Sequence, residues 1–163
     1  MPEVVTIGVY GWEEASFWEA LQKAAVDTFV DIRRRRGVRG AAYAFANAAR
    51  LQAGLAAIGI RYLHRLDLAP GNATRAAQQA VDRAAHVARR QRAQLDPGFV
   101  ARYQHECLDT FEGAAFVASL GPAAQVIALF CVEGEPAACH RSLLANRLAS
   151  DLSLPVEHLR PPA

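Results

Sequence analysis

Gln125-Val126-Ile127-Ala128-Leu129-Phe130-Cys131 is the clearest buried strand in the chain: no charge, apolar from Val126 to Cys131, and no period-2 alternation. The turn-forming Glu133-Gly134-Glu135-Pro136 follows, and a helix is predicted from about Cys139 to Ser150. A strand apolar on both faces that feeds a helix belongs to an α/β protein, where helices cover a parallel sheet.

The chain upstream repeats that alternation. Val4-Val5-Thr6-Ile7-Gly8-Val9 reads as a first strand, and Gly8 and Gly11 signal a turn. Ser16-Phe17-Trp18-Glu19 has the form of a capping box, with Phe17, Leu21 and Ala24 at helical spacing behind it. Thr28 to Ile32 predicts a second strand, and Arg33-Arg34-Arg35-Arg36, with Arg39, a solvated basic loop. Phe45, Ala48, Leu51, Leu55 and Ile58 place one helix over Ala42 to Ile58, ended by Gly59, and Ile60 to His64 reads as a third strand.

Thr74 to Leu95 reads as a long helix with Ala76, Ala80, Ala84 and Val87 inward and Arg83, Arg89, Arg90 and Arg92 on its other face. Asp96-Pro97 places a capping carboxylate before a first-turn proline, and Asp109 to Glu112 opens the next helix, which stops at Gly121-Pro122. A short strand near Val156 to Leu159 closes the chain. The expected fold is a single three-layer α/β domain over residues 1 to 163, with a mostly parallel sheet of about five strands and right-handed crossovers. In such sheets ligands sit beyond the carboxyl ends of the strands.

Composition narrows the function classes. At 163 residues and 52% hydrophobic, one domain with a substantial core is expected. No segment approaches the roughly 18 uninterrupted apolar residues of a membrane span, and no leader pattern precedes Val4, so a membrane is not an expected partner. Three cysteines, Cys107, Cys131 and Cys139, are too few and too odd in number for a disulfide framework, which points to a reducing, cytoplasmic setting. A net charge of +2 argues weakly for nucleic acid. All cations but Lys23 are arginine, which codon bias toward GC-rich genes also explains. No pattern names a cofactor or an oligomeric state.

Reactive residue types are densest from Cys131 to Ser142, where a strand's carboxyl end runs into a helix's first turn. Free amides and the helix dipole at Cys139, His140, Arg141 and Ser142 favour an anion, Arg141 adds a bidentate clamp, and the same field lowers a cysteine's pKa. Four readings fit the two cysteines: a buried structural pair, a thiolate or redox site, a metal site, or anion binding without thiol chemistry. The metal reading suffers because C-x7-C-H lacks the close C-x2-4-C knuckle of zinc sites, and His105 or Cys107 would have to supply a fourth ligand. Helical neighbours point about 100° apart, so Cys139 and His140 are not a dyad by adjacency, and His64 is the better candidate to activate a cysteine.

Asp31 and Arg33 fall on the same side of the second strand's end, as a catalytic carboxylate with an anion-binding cation or as an internal salt bridge. Arg36 extends the anion-binding set, and Tyr62 and His64 share a face at the third strand's end. His86, His105, Trp12 and Trp18 fall to packing.

These segments together resemble the family described as domain of unknown function 488. The resemblance runs almost end to end, through TIG at Thr6 to Gly8, VDIRRRR at Val30 to Arg36, AGLAAIGIRYLH at Ala53 to His64, FVARYQ at Phe99 to Gln104 and ALFCVEGEPAACHRSLLA at Ala128 to Ala145. It implies an α/β fold and motifs on the rim residues already named, and it brings no established activity. The family commonly continues TIG with a polar or histidine-containing turn, whereas Val9-Tyr10-Gly11 stands here. Asp31-Ile32-Arg33 and Cys131 are also similar to the strand-end DVR and the strand-cysteine-loop-helix unit of rhodanese-type sulfurtransferases, although the loop from Cys131 to Arg141 is longer.

Three functions follow as expectations. The first is an enzyme that binds a small anionic or phosphorylated ligand at the strand ends, with Cys131 or Cys139 as nucleophile or redox thiol. The second is a nucleic-acid-binding or regulatory module whose Arg33 to Arg39 loop and Arg83 to Arg92 face form one basic surface. The third is a non-catalytic interaction protein in which Cys131 to Ser142 merely caps a helix.

Overall fold

The computed structural model describes residues 1–163. Strands β1 (Glu3–Ile7), β2 (Thr28–Asp31), β3 (Arg61–His64), β4 (Val126–Phe130) and β5 (Val156–His158) form one sheet in the order β3-β2-β4-β1-β5, with every pair parallel. Six α-helices connect them: α1 (Glu14–Lys23), α2 (Ala48–Ala57), α3 (Asn72–Ala84), α4 (Pro97–Tyr103), α5 (Gly113–Leu120) and α6 (His140–Leu152). No helix is long and apolar enough to cross a membrane.

Alternation along the central strands assigns the two faces. Phe29 and Phe130 meet Phe17 of α1 at centroid distances of 6.5 and 5.9 Å, and Phe45 joins them at 5.1 Å from Phe17. On the opposite face, Thr6 pairs in register with Leu129, and its hydroxyl meets Arg141 of α6, which packs along β1, β4 and β5. The sheet is therefore the middle of three layers, as the buried reading of β4 requires.

Several local expectations are corrected. The capping box at Ser16 does not form: α1 begins at Glu14 after an extended Glu13, and the Ser16 hydroxyl donates to the Glu13 carbonyl at 3.0 Å. The helix expected over Ala42 to Ile58 is two pieces, a 3-10 segment Ala41–Ala46 and then α2, separated by extended Asn47. Gly59 does take the left-handed conformation, at φ +74°.

The largest correction concerns Thr74 to Leu95. Helix α3 ends at Ala84, His86 turns left-handed at φ +55°, and the Val87 and His86 amides donate to the Asp82 and Arg83 carbonyls. This is a Schellman closure with histidine at the left-handed position. The buried face of α3 is polar, Thr74, Gln78 and Asp82, while Ala76, Ala80 and Ala84 are exposed. Hydrogen bonds decide that polarity: Arg92 makes a two-point contact with Asp82, and Gln78 holds both Asp82 and the Asp96 amide.

Candidate functional site

Beyond the carboxyl ends of β2 and β4 lies a cleft of about 550 Å³. Its floor comes from Cys131, Cys139 and His140, and its walls carry eight arginines: Arg33, Arg34, Arg35, Arg39, Arg75, Arg89, Arg90 and Arg92. Carboxylates answer only three of them, Asp31 on Arg33, and Glu133 and Asp82 on Arg89 and Arg92. The remaining five have no carboxylate within ion-pair distance. Arg75 shows the consequence: burial first, then the like charges of Arg89 and Arg35, lower its guanidinium pKa.

The arginine run is not simply a solvated loop. Arg33 is buried at 1% exposure and donates to both Asp31 oxygens, from Nε at 2.9 Å and from a terminal nitrogen at 2.8 Å. Its other terminal nitrogen donates to the Ala46 carbonyl at 2.8 Å, and its guanidinium lies 4.7 Å over the Phe130 ring. The salt-bridge reading of Asp31 and Arg33 thus describes the geometry. Tyr62 completes it by donating to Asp31 at 2.7 Å, and burial pushes this phenol up to about 12.

The two cysteines and His140 converge although nine residues separate Cys131 from His140 in sequence. Their donor atoms all lie within 4.8 Å of one another, and all three residues are buried. His140 Nε2 sits 2.8 Å from the Ile32 carbonyl, which can only accept, so Nε2 carries a proton and Nδ1 is the face turned to Cys131 Sγ at 3.6 Å. Cys139 is extended at φ −135° and ψ 143° and only His140 is helical, so the two are not helical neighbours 100° apart. His140, not His64, is therefore the histidine beside the cysteines; His64 Nε2 is occupied by the Arg33 carbonyl at 2.8 Å.

The surroundings polarise the pair. Burial pushes Cys139 up, but the Cys131 thiol, Arg141 and His140 outweigh it and hold Cys139 well below the ordinary thiol range. Burial, the adjacent Cys139 sulfur and Glu133 hold Cys131 well above it, with Arg89 opposing. His140 is lowered by burial but raised further by Cys139, the Ile32 carbonyl and Glu133, ending above the ordinary histidine value. The asymmetry follows the geometry: Cys139 sits at the start of α6, whereas Cys131 faces a carboxylate 3.9 Å away.

Cys131, Cys139 and His140 also form a three-donor set of the soft kind that binds zinc, so the fold supplies the proximity that sequence spacing lacked. Neither proposed fourth donor joins it: Cys107 donates to the Ala69 carbonyl and His105 is exposed beside Asp109. The ring of guanidinium groups opposes a dication there.

Other expected anion ligands lie elsewhere. Arg141, fully buried, donates to the Glu133 and Gly134 carbonyls and to Thr6, so it ties loops together and does not line the cleft. Ser142 donates to the Cys139 carbonyl, and the Cys139 and Ser142 amides are likewise used internally. Arg36 turns to Tyr62, outside the cleft. In their place the cleft uses Arg75, Arg89 and Arg92, with Glu133 as the carboxylate that orients the last two.

Fold and site together define an α/β domain with an arginine-walled, cysteine-floored cleft at its strand ends. The chain belongs to the family described as Domain of unknown function DUF488, whose model matches residues 14–148. That span contains β2, β3, β4 and every residue lining the cleft except Tyr10. Neither a curated protein nor a solved structure matches the chain.

Proposed function

We propose that the cleft binds a small, multiply charged anion of the phosphorylated or polycarboxylate class, and that the Cys139 thiolate on its floor reacts with that ligand. The observation that carries this reading is the imbalance of eight guanidinium groups over three carboxylates around a buried thiol pair. Arginine is suited to such ligands because its planar fork bonds phosphate or carboxylate oxygens two at a time. The volume suits a metabolite-sized molecule, since ligand pockets run to about 300–1,000 Å³.

Binding is tested on the full chain by thermal shift with pyrophosphate over a range of salt. A saturating anion at about 100 times its Kd stabilises a protein by roughly 2.7 kcal/mol, an upward shift of several degrees. Arg75→Ala is expected to weaken binding by roughly ten- to hundredfold, since it removes one charge-assisted contact worth roughly 1.5–3 kcal/mol. An unshifted melting curve at low salt would sink the anion reading.

The thiolate is tested by alkylation. Iodoacetamide is expected to modify Cys139 faster than free cysteine near neutral pH, and because its pKa lies below the ordinary thiol range, the rate should persist on acidification. The anionic reagent iodoacetate should gain further from the arginines. Rates equal to or slower than free cysteine at both positions would rule out thiolate catalysis.

The nucleic-acid reading draws on the same cations, since Arg90 donates to the Arg39 carbonyl and so joins the two basic runs. The concave placement of those cations favours a small ligand, and a stacking platform is lacking because Arg90 covers both Tyr10 and Tyr43 at 5.1 Å. Salt-sensitive binding of an oligonucleotide with no response to pyrophosphate would reverse the preference.

A further inference from the structure

We infer that Cys131 is the partner thiol of Cys139, and that the pair reduces an anionic disulfide by closing into an internal disulfide of its own. The inference deepens the proposed function: it rests on the anion cleft and names the substrate class and reaction type.

Geometry carries it. Two thiols line the same cleft, their sulfurs no more than 4.8 Å apart, with one imidazole nitrogen in the same cluster. The Ile32 carbonyl occupies His140 Nε2, so the only basic lone pair of that ring is Nδ1, 3.6 Å from Cys131 Sγ. A thiolate that merely hydrolysed its ligand would have no use for a second thiol with its own base. A thiol held this close would attack any disulfide formed on its neighbour, because intramolecular attack enjoys a very high effective concentration. The third cysteine, Cys107, lies outside the cleft against the Ala69 carbonyl.

The electrostatics select thiol chemistry over metal binding on the same three donors. Arg33 and Arg141 are buried within two residues of Ile32 and Cys139, and Arg89 lines the same cleft as Cys131, paired with Glu133 at 2.8 Å. Such charges stabilise a thiolate and a departing thiolate alike. They also draw in a disulfide bearing carboxylate or phosphate groups and repel a cationic one.

The reaction balances without a further oxidant. The Cys139 thiolate attacks one sulfur of R–S–S–R, forming Cys139–S–S–R and releasing RS⁻. His140 gives its Nδ1 proton to the departing RS⁻ once the Cys139 charge is gone; the freed Nδ1 then takes the Cys131 proton, and the Cys131 sulfur attacks Cys139 Sγ. The Cys131–Cys139 bond forms, the Cys139–SR bond breaks, and the second RS⁻ leaves with the proton held by His140. The substrate disulfide gains two electrons and the protein dithiol loses two. Two equivalents of an external thiol, or one dithiol, then restore the pair and leave as a disulfide.

The test treats the reduced full chain with dithiodipropionate, a dianionic disulfide, and in parallel with neutral hydroxyethyl disulfide and cationic cystamine, followed by peptide mass mapping. Wild type is expected to yield a 131–139 bridge, with the dianionic probe about tenfold faster than cystamine. Cys131→Ser should stop at a stable mixed disulfide on Cys139, and Cys139→Ser should remain reduced. If Cys139→Ser does not fold, the wild-type and Cys131→Ser arms still decide. A wild-type mixed disulfide that persists without a bridge, no charge preference among the probes, or one equivalent of zinc retained with both thiols masked would overturn the inference. Pyrophosphate binding measured on the same preparation separates the failures: binding without a bridge sinks only the dithiol step, and absent binding sinks the anion reading beneath it.

Discussion

Asp31→Ala is expected to cost about 3–5 kcal/mol of folding stability, because it strands a buried guanidinium. Arg33 and Asp31 are 1% and 0% exposed, and the carboxylate receives four hydrogen bonds: two from the Arg33 side chain, one from the Arg33 amide and one from Tyr62. Removing the carboxylate leaves the Arg33 guanidinium, 1% exposed, bonded only to the Ala46 carbonyl. The double variant Asp31→Ala/Arg33→Met should recover most of the loss, since replacing a whole buried pair with apolar groups is often nearly neutral. Urea unfolding of the two single variants and the double gives the coupling directly. A single-variant loss under about 1 kcal/mol would show that the pair behaves as an exposed salt bridge.

The arginine run shows where sequence reading reaches its limit. Four consecutive arginines look alike in a sequence, yet Arg33 is in the core, Arg34 donates to the Pro70 carbonyl, Arg35 is exposed on the cleft wall and Arg36 reaches Tyr62. The one legible clue was parity: Asp31 and Arg33 share a side of an extended chain, which gave the salt bridge. Strands were legible because β-branched and aromatic runs such as Val126 to Phe130 have no other place to go.

Helix α3 was not legible, because alanine fits an exposed face as readily as a buried one. Its buried side chains are polar residues whose partners, Arg92, Asp96 and Glu106, lie 10 to 32 residues away. The same non-locality hid Arg75 and Glu133. Nothing beside Arg75 in sequence marks it as facing Arg89 and Arg35, and Glu133 in a Glu-Gly-Glu turn carries no sign of burial among arginines. By contrast the strand-end placement of Cys131 and Cys139 was visible from the β4-turn-α6 pattern. Their histidine was not legible, because nothing in the sequence shows that Cys139 is extended and stands just outside α6.

Gly8→Ala should be nearly as damaging as Asp31→Ala, for a steric reason. Its φ is compatible with any residue, but an added Cβ would lie 2.1 Å from the Glu133 carbonyl oxygen and 3.1 Å from an Arg141 terminal nitrogen. Neither neighbour can yield cheaply. Arg141 donates to that same carbonyl, and the Val9 and Tyr10 amides both donate to Val132, which locks the loop after β1 onto the loop after β4. Moving Glu133 also loosens Arg89 and Arg92, which it orients from 2.8 and 3.2 Å. A loss of about 3 kcal/mol is expected from overpacking, together with loss of pyrophosphate stabilisation. Gly59→Ala is the control: at φ +74° with nothing within 4 Å of an added Cβ, it should cost about 1 kcal/mol of backbone strain and leave anion binding intact. Equal effects of the two substitutions on binding would show that the β1 loop does not hold the cleft wall in place.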